Sequence, residues 1–378
     1  MDETRPLRRG WTTGTCATAA AKAAYHALVA GDFPDPVTVT LPKAGQTPAF
    51  ALAKHTLGEG FASAGVVKDA GDDPDVTHGA LIVATVRPGA AGSGVTFRAG
   101  EGVGTVTRPG LPIPPGEPAI NPVPRQMLAQ AISEVCAETG AKGDVEIEIS
   151  IPGGEKLAER TLNGRLGIVG GLSVLGTTGI VVPYSCAAWI ASIHQGIDVA
   201  RATGRDHVAG ATGNASEMAV QKLHGLADEA LLDMGDFVGG TLKYLRTHPV
   251  PKVTIAGGIA KMTKLAQGFL DLHSKRGSVD LEALAGVALA QGGSETLREK
   301  IIAANTTPEA FALTRAEGID LGDTVAQAAW NTAAQVIAGT DMALEIVIFD
   351  RDGTLMGQAP FAPVHDVLHD APRDRKRR

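Results

Sequence analysis

Aromatic side chains make up only 4% of the 378 residues, and cysteine is scarcer still. Cys16, Cys136 and Cys186 lie far apart without metal-ligand spacing, and an odd count gives no disulfide framework. A reducing cytoplasm is the compartment this usage fits. Long hydrophobic runs are missing: stretches such as 179–182 and 346–349 fall far below the roughly 20 residues of a bilayer span, and the charged start does not read as a signal-peptide core. Basic charge is not in excess either. The formal net charge of -7 argues against a nucleic-acid binder, because neutralising phosphates needs a broad basic face. No segment matches G-x-G-x-x-G or G-x-x-x-x-G-K-[ST], so the two commonest nucleotide fingerprints are absent.

Glycine is plentiful, at 47 residues, and much of it closes apolar runs, which is turn chemistry rather than low complexity. The length exceeds one ordinary core, and 44% apolar content can fill two.

The chain opens with a Thr- and Gly-containing loop, Arg8 to Cys16, feeding an alanine-dominated helix over 17–30. Free N–H groups at that helix start suit an anion, and a capped, tightly packed helix is the equal alternative. Strands are expected at 37–41, 65–68 and 80–86. Between the last two, Asp69, Asp72, Asp73 and Asp75 crowd among Gly and Pro, where turn chemistry outweighs a hard-cation site, and the ligand order misses the EF-hand pattern. Prolines at 109, 112, 114, 115, 118, 122 and 124 forbid regular helix over 108–125, and an ordered extended segment there should line something. A helix over 126–139 and a strand over 145–151 complete an α+β domain, residues 1–160.

The second half, 161–365, repeats a short apolar strand, a small-residue loop and a helix. The instances are 166–169 with Gly170-Gly171, 207–209 with Gly210 to Gly213, 230–232 with Asp233 to Asp236, and 252–256 with Gly257-Gly258. Alternating βα units imply a doubly wound parallel sheet whose ligands lie beyond the carboxyl ends of the strands. The segment 348–354 looks like the start of a haloacid-dehalogenase phosphatase, but only 24 residues follow Thr354, so a β-hairpin turned at Asp352-Gly353 is the better reading. Residues 366–378 read as a basic, disordered tail.

The longer words of the chain closely resemble one family. Arg8 to Ala24 (RRGWTTGTCATAAAKAA), Lys68 to Gly79 (KDAGDDPDVTHG), Gly100 to Arg125 and Ile151 to Val182 are similar, in the same order, to the cobalt-precorrin-5B C1-methyltransferase family, CbiD. Asp233 to Phe237 and Lys261 to Ala266 extend the likeness nearly end to end. It departs at Gly258, where the family often has His, and at Asp271-Leu272-His273-Ser274, where it has Asn-Thr-His-Ser.

The resemblance implies transfer of a methyl group from S-adenosylmethionine to C1 of cobalt-precorrin-5B, giving cobalt-precorrin-6A in cobalamin biosynthesis. Cobalt would enter only inside the substrate, with no protein metal site. It further implies an amino-terminal GHMP-kinase-like α+β domain followed by a Rossmann-like domain. Carboxylates around the macrocycle call for cations and helix starts, which within the resembling motifs are Arg8, Arg9, Thr12, Thr13, Lys22, Lys68, Arg108, Arg125 and Arg165. Asp72 and Asp73 are the candidate catalytic carboxylates. For the donor the candidates are Gly170, Gly171, Thr177, Thr178, Gly213 and Gly257, with Asp236 on the ribose hydroxyls by analogy with other Rossmann-like sites. A homo-oligomer and transient contact with neighbouring pathway enzymes are the partners besides substrate, with no nucleic acid and no membrane. Two other readings compete: a non-catalytic tetrapyrrole-binding scaffold, and a nucleotide-binding enzyme of another class.

Overall fold

In the computed structural model, which describes residues 6–42 and 45–367, the chain divides into two units, with the break between Cys186 and Ala187. The first runs through β1 (Gly10–Trp11), α1 (Thr13–Ala30), β2 (Val37–Thr38), β3 (Ala49–Phe50), β4 (Lys54–Gly58), β5 (Phe61–Val67) and β6 (Leu81–Pro88). It continues with β7 (Val95–Ala99), β8 (Thr105–Val106), α2 (Pro122–Thr139), β9 (Val145–Ser150), α3 (Gly154–Ala158), β10 (Ile168–Val169) and β11 (Ile180–Val181).

Its main sheet has the order β4-β5-β6-β9-β7, antiparallel except where β7 joins β9. Alternation decides which face is buried. Ile82, Ala84 and Val86 of β6 and Val145, Ile147 and Ile149 of β9 lie in one core with α1 and α2, while Arg87 and Glu148 pair at 3.3 Å away from that core. Each such buried Ile contributes about 2 kcal/mol. Alanines 17, 19, 20, 21, 23 and 24 are fully buried, and their small size lets α1 lie close against β5, β6 and α2. Thr12 caps α1 by accepting the Thr15 N–H, and Gly31 closes it at φ 94°.

Three expectations change here. Helix α2 starts at Pro122, not residue 126, because prolines in a first turn remove N–H groups that have no helical partner. Residues 166–169 do not open a βα unit: β10 pairs antiparallel with β8, and β11 pairs with β1. These pairings hold residues 161–186 in the first unit, so its boundary falls later than residue 160.

The second unit comprises α4 (Cys186–Ala202), β12 (His207–Ala211), α5 (Asn214–His224), β13 (Leu231–Asp233), α6 (Val238–Thr247), β14 (Lys252–Gly258) and α7 (Ile259–Ala266). Then come α8 (Leu281–Ala290), α9 (Glu295–Ile302), α10 (Thr307–Ala316), α11 (Gly322–Ile337), β15 (Ala343–Phe349) and β16 (Leu355–Pro363). The sheet order is β13-β12-β14-β15-β16, with the first four strands parallel and β16 antiparallel. The sheet is therefore mixed rather than wholly parallel. Its last strand returns through the hairpin at Asp350–Thr354, where Asp350 Oδ1 accepts the N–H groups of Asp352 and Thr354. Val220 of α5 packs with Ala209, Ala256, Val347 and Phe349, while α6, α7 and α11 bury Leu242, Met262 and Ala329 with Val208, Ile255 and Ile346. Helices α8 to α10, for which the βα repeat made no provision, are capped by Asp280, Ser294 and Thr306 and join the latter core through Leu284, Leu297 and Phe311.

Among the described residues no helix is long and apolar enough to cross a membrane. Most of the expected tail, 368–378, lies outside the described residues.

Near the amino ends of the parallel strands sits a polar cluster. Glu345 is buried and accepts from Thr254 Oγ1 and His224 Nε2, both at 2.7 Å, and from Gln358 Nε2 at 2.8 Å. With the Thr254 proton committed to Glu345, His207 Nε2 must donate to Thr254 Oγ1, 2.8 Å away. Burial, then the neighbouring His224, pushes the His207 pKa down to about 4. An unfolded histidine protonates near 6.5, so between these values the unfolded chain holds the extra proton. Stability of the second unit should accordingly fall as pH drops from 6.5 to 4. His207→Gln should flatten that slope in thermal melts taken across the window, and an unchanged slope would refute the assignment.

Candidate functional site

In the first unit three remote segments meet at the start of α1. Trp11 N donates to Asp69 O at 2.7 Å and Asp72 N to Arg8 O at 2.9 Å, so the amino-terminal arm lies along the Asp-rich loop. Gly71 sits at φ 69° where a Cβ would collide with the Arg8 carbonyl, which makes glycine obligatory. The third segment is that around β11: Thr12 N donates to Gly179 O and Gly14 N to Leu175 O, at 3.1 and 3.0 Å. The chain's own carbonyls and the Thr12 cap thus occupy N–H groups at the helix start. Thr12 and Thr13 are both buried, and the Gly14 and Thr15 N–H groups are taken by Leu175 O and Thr12 Oγ1, which is the capped, packed arrangement.

The carboxylates of the loop are engaged structurally. Asp69 takes a two-pronged contact from the Arg8 guanidinium, and that bond, then the Gly71 N–H, holds its pKa down at about 2. Asp72 Oδ2 accepts from Arg8 N at 2.6 Å, and Asp73 Oδ1 from Tyr184 N at 2.8 Å. These two candidate catalytic residues fasten backbone. Beneath them Lys68 is buried, pairing with Asp75 and donating to Thr77 Oγ1 at 2.6 Å. Burial raises the Asp75 carboxyl, but the Lys68 charge and the bonds from Lys68 and Thr77 outweigh it and lower its pKa.

Several expected substrate cations do not gather there. Lys68 faces the interior. Lys22, nine residues into α1 and hence about 14 Å along its axis, pairs with Glu134 of α2 at 2.7 Å. Arg125 braces the proline-rich segment, donating to Ile120 O and Pro118 O and pairing with Glu117 at 3.2 Å. Arg108 donates to Arg165 O at 3.3 Å beside the β8–β10 pair. Arg9 is exposed and makes no ion pair among the described residues, which leaves it the cation of this cluster open to a ligand.

The expected donor residues separate. Gly170, Gly171, Thr177 and Thr178 belong to the first unit, where Gly171 packs against the Gly102 backbone and Thr178 Oγ1 accepts from Ile180 N. Gly213, Asp236 and Gly257 do converge, at the carboxyl ends of β12, β13 and β14. The connection from β12 runs to one neighbour and that from β13 returns to the other, and such a reversal opens a crevice above the sheet. Lys261 Nζ lies in it, donating to Thr212 O at 2.6 Å and standing 3.1 Å from Asp236 Oδ1. That Oδ1 is shielded from solvent yet has no hydrogen-bond partner, so the contact with Lys261 is ionic and misaligned. A Cβ on Gly257 would meet Met262 and Thr212 at 2.6 and 2.8 Å, so this glycine serves packing, whereas Gly213 and Gly258 have open space beside them. Trp189 Nε1 donates to Asp233 O at 2.8 Å, setting its half-exposed ring over Gly235. Lys261 lay inside a resembling motif without an assigned role. Trp189 carried no signal in sequence.

A two-unit protein of mixed sheets, with an arginine and carboxylate cluster in one unit and a switch-point crevice in the other, is the class these features define. The model of the CbiD family matches residues 1–183, and that of the CbiD C-terminal domain matches residues 271–360. A cobalt-precorrin-5B C(1)-methyltransferase of Agrobacterium fabrum is 62% identical over 374 residues, 99% of this chain and 98% of that one. One from a Bradyrhizobium species is 60% identical, covering 98% of each. A crystal structure of the cobalamin biosynthesis protein CbiD from Archaeoglobus fulgidus is 29% identical, covering 67% of this chain and 77% of that one, with a TM-score of 0.38. The chain belongs to the CbiD family.

Replacing Lys68 with Met should strip Asp75 of its buried counter-charge and cost about 3 kcal/mol, the lower end for a broken buried pair because Asp75 keeps some solvent contact. The urea midpoint of the first unit reports it. A midpoint equal to wild type would show that the pair does not hold the loop.

Proposed function

We propose that this protein methylates C1 of cobalt-precorrin-5B with S-adenosylmethionine as donor, giving cobalt-precorrin-6A during assembly of the corrin ring of cobalamin. The observation that carries this reading is likeness along nearly the whole of both chains to relatives bearing that name. The three free cysteines suit a reducing cytoplasm as its setting. The accompanying fold reading is a GHMP-kinase-like first unit and a Rossmann-like second. What supports the latter is the order of four parallel strands, with helices on both faces.

We place the donor in the crevice of the second unit. When bound, S-adenosylmethionine supplies a methyl group on a sulfonium, open to in-line displacement by an electron-rich ring carbon. Asp236 Oδ1, which has an ionic contact with Lys261 but no hydrogen bond, accepts from the ribose hydroxyls. Lys261, held by Thr212 O, offers its charge to the donor carboxylate, and Gly213 and Gly258 leave the backbone approachable. In the first unit Arg9 takes a rim carboxylate of the substrate, while Asp72 and Asp73 hold the surrounding backbone rather than react. Cobalt arrives inside the macrocycle.

Anaerobic incubation with purified cobalt-precorrin-5B and methyl-labelled donor should add one labelled methyl to the pigment, read by mass spectrometry. Failure of label transfer by the intact protein would sink the reading. Asp236→Ala should weaken S-adenosylhomocysteine binding by about tenfold or more, since a charged acceptor contributes roughly 1.5–3 kcal/mol per bond. The same variant removes an oxygen with no hydrogen bond and a part-exposed ionic contact, while Lys261 keeps its bond to Thr212 O, so its Tm should change little. A fall in Tm without loss of donor affinity would make Asp236 a structural residue instead.

A further inference from the structure

Between β11 and α4 the chain turns at Pro183 and Tyr184. A proline followed by a residue of positive φ is the pattern of a type II turn, whose third position is ordinarily filled by glycine or asparagine. Here it is filled by Tyr184 at φ 55°, the one non-glycine residue with positive φ among those described. An L side chain crowds its own carbonyl in that region, and a bulky one gains nothing locally. Packing does not compensate. The side chain is 68% exposed, and its ring stacks on no aromatic neighbour among the described residues. A glycine would make the same turn with less strain, so an exposed tyrosine kept here points to a contact outside the chain.

The turn is also fastened. Tyr184 N donates to Asp73 Oδ1 at 2.8 Å, and the adjacent Asp72 accepts from Arg8 N at 2.6 Å. One pair of neighbouring carboxylates thereby holds two backbone segments, one carrying the exposed Arg9 and one the exposed ring. An exposed aromatic face and a guanidinium with no ion pair among the described residues, on segments fastened to one loop, suit a ligand with a broad conjugated face and a carboxylate rim.

We propose that Tyr184 contacts the substrate, its ring stacking on a face of the tetrapyrrole while Arg9 engages the rim, and that Asp73 is a positioning residue that holds Tyr184 in its left-handed turn. This rests on the reading of the chain as a tetrapyrrole methyltransferase and assigns part of its acceptor site.

The test is titration of the full-length protein with cobalt-precorrin-5B, without donor and followed by pigment absorption, alongside kinetics of label transfer. Tyr184→Gly should raise Kd and KM about tenfold, the magnitude of a lost aromatic stack. It should leave S-adenosylhomocysteine affinity unchanged and raise Tm, because the turn is relaxed. Tyr184→Phe keeps the ring face and should stay within about twofold of wild type, while Asp73→Ala should raise KM with little change in kcat. Pigment affinity of Tyr184→Gly within twofold of wild type would overturn the proposal. So would a Phe variant as impaired as the Gly variant, or a Gly variant altered only in sedimentation, which would assign the ring to a contact between copies. Wild-type protein that binds pigment but transfers no label refutes the methyltransferase reading and leaves the Tyr184 comparison legible. Protein that binds no pigment ends both.

Discussion

A loop crowded with carboxylates can run beside a buried helix start only if each charge finds a donor, and that constraint organises the first unit. Lys68 supplies the deepest donor, to Asp75 and Thr77, and so fixes the floor of the loop. Above it Asp69, Asp72 and Asp73 take their donors from Arg8, from the Arg8 backbone and from Tyr184. The acidic segment therefore acts as a clasp. It ties the amino-terminal arm to the segment that leaves the unit, and the glycine at 71 exists because the arm lies directly on it.

The second unit solves a different problem. A parallel sheet leaves its functional loops at one end, and the reversal between β12 and β14 opens a crevice there. Thr212, Asp236, Gly257 and Lys261 close its walls with one another, and Asp236 Oδ1 there has an ionic contact with Lys261 but no hydrogen bond. At the opposite end of the strands, Glu345 is surrounded by Thr254, His224 and Gln358 and is saturated with donors. Two acidic residues in one unit thus have contrasting fates. One is filled with hydrogen bonds, and the other is left with an ionic contact alone.

Much of the architecture is legible in the sequence. The alanine run of α1, the alternation in β6 and β9, the strands at 207, 231 and 252 and the hairpin at Asp350 follow from local periodicity and turn chemistry, which do not depend on distant partners. The unit boundary did not follow, because a two-residue strand such as β10 or β11 has no periodicity and exists only through its partner. Helices α8 to α10 carry their local signal in the capping residues Asp280, Ser294 and Thr306 and fall outside the βα repeat.

The site divides the same way. Residue types and word order alone determined the family resemblance, the carboxylate-rich loop, and the need for cations and small-residue turns. Which cation is paired is a matter of what lies across from it, and only the folded chain could decide that Lys22, Lys68 and Arg125 have partners while Arg9 has no ion pair among the described residues. The backbone angle of Tyr184 and the unpartnered oxygen of Asp236 belong to the same class of fact. Sequence sets which groups exist and how the chain bends locally. Long-range contact sets which of those groups have spent their hydrogen bonds, because their partners lie far away in the chain.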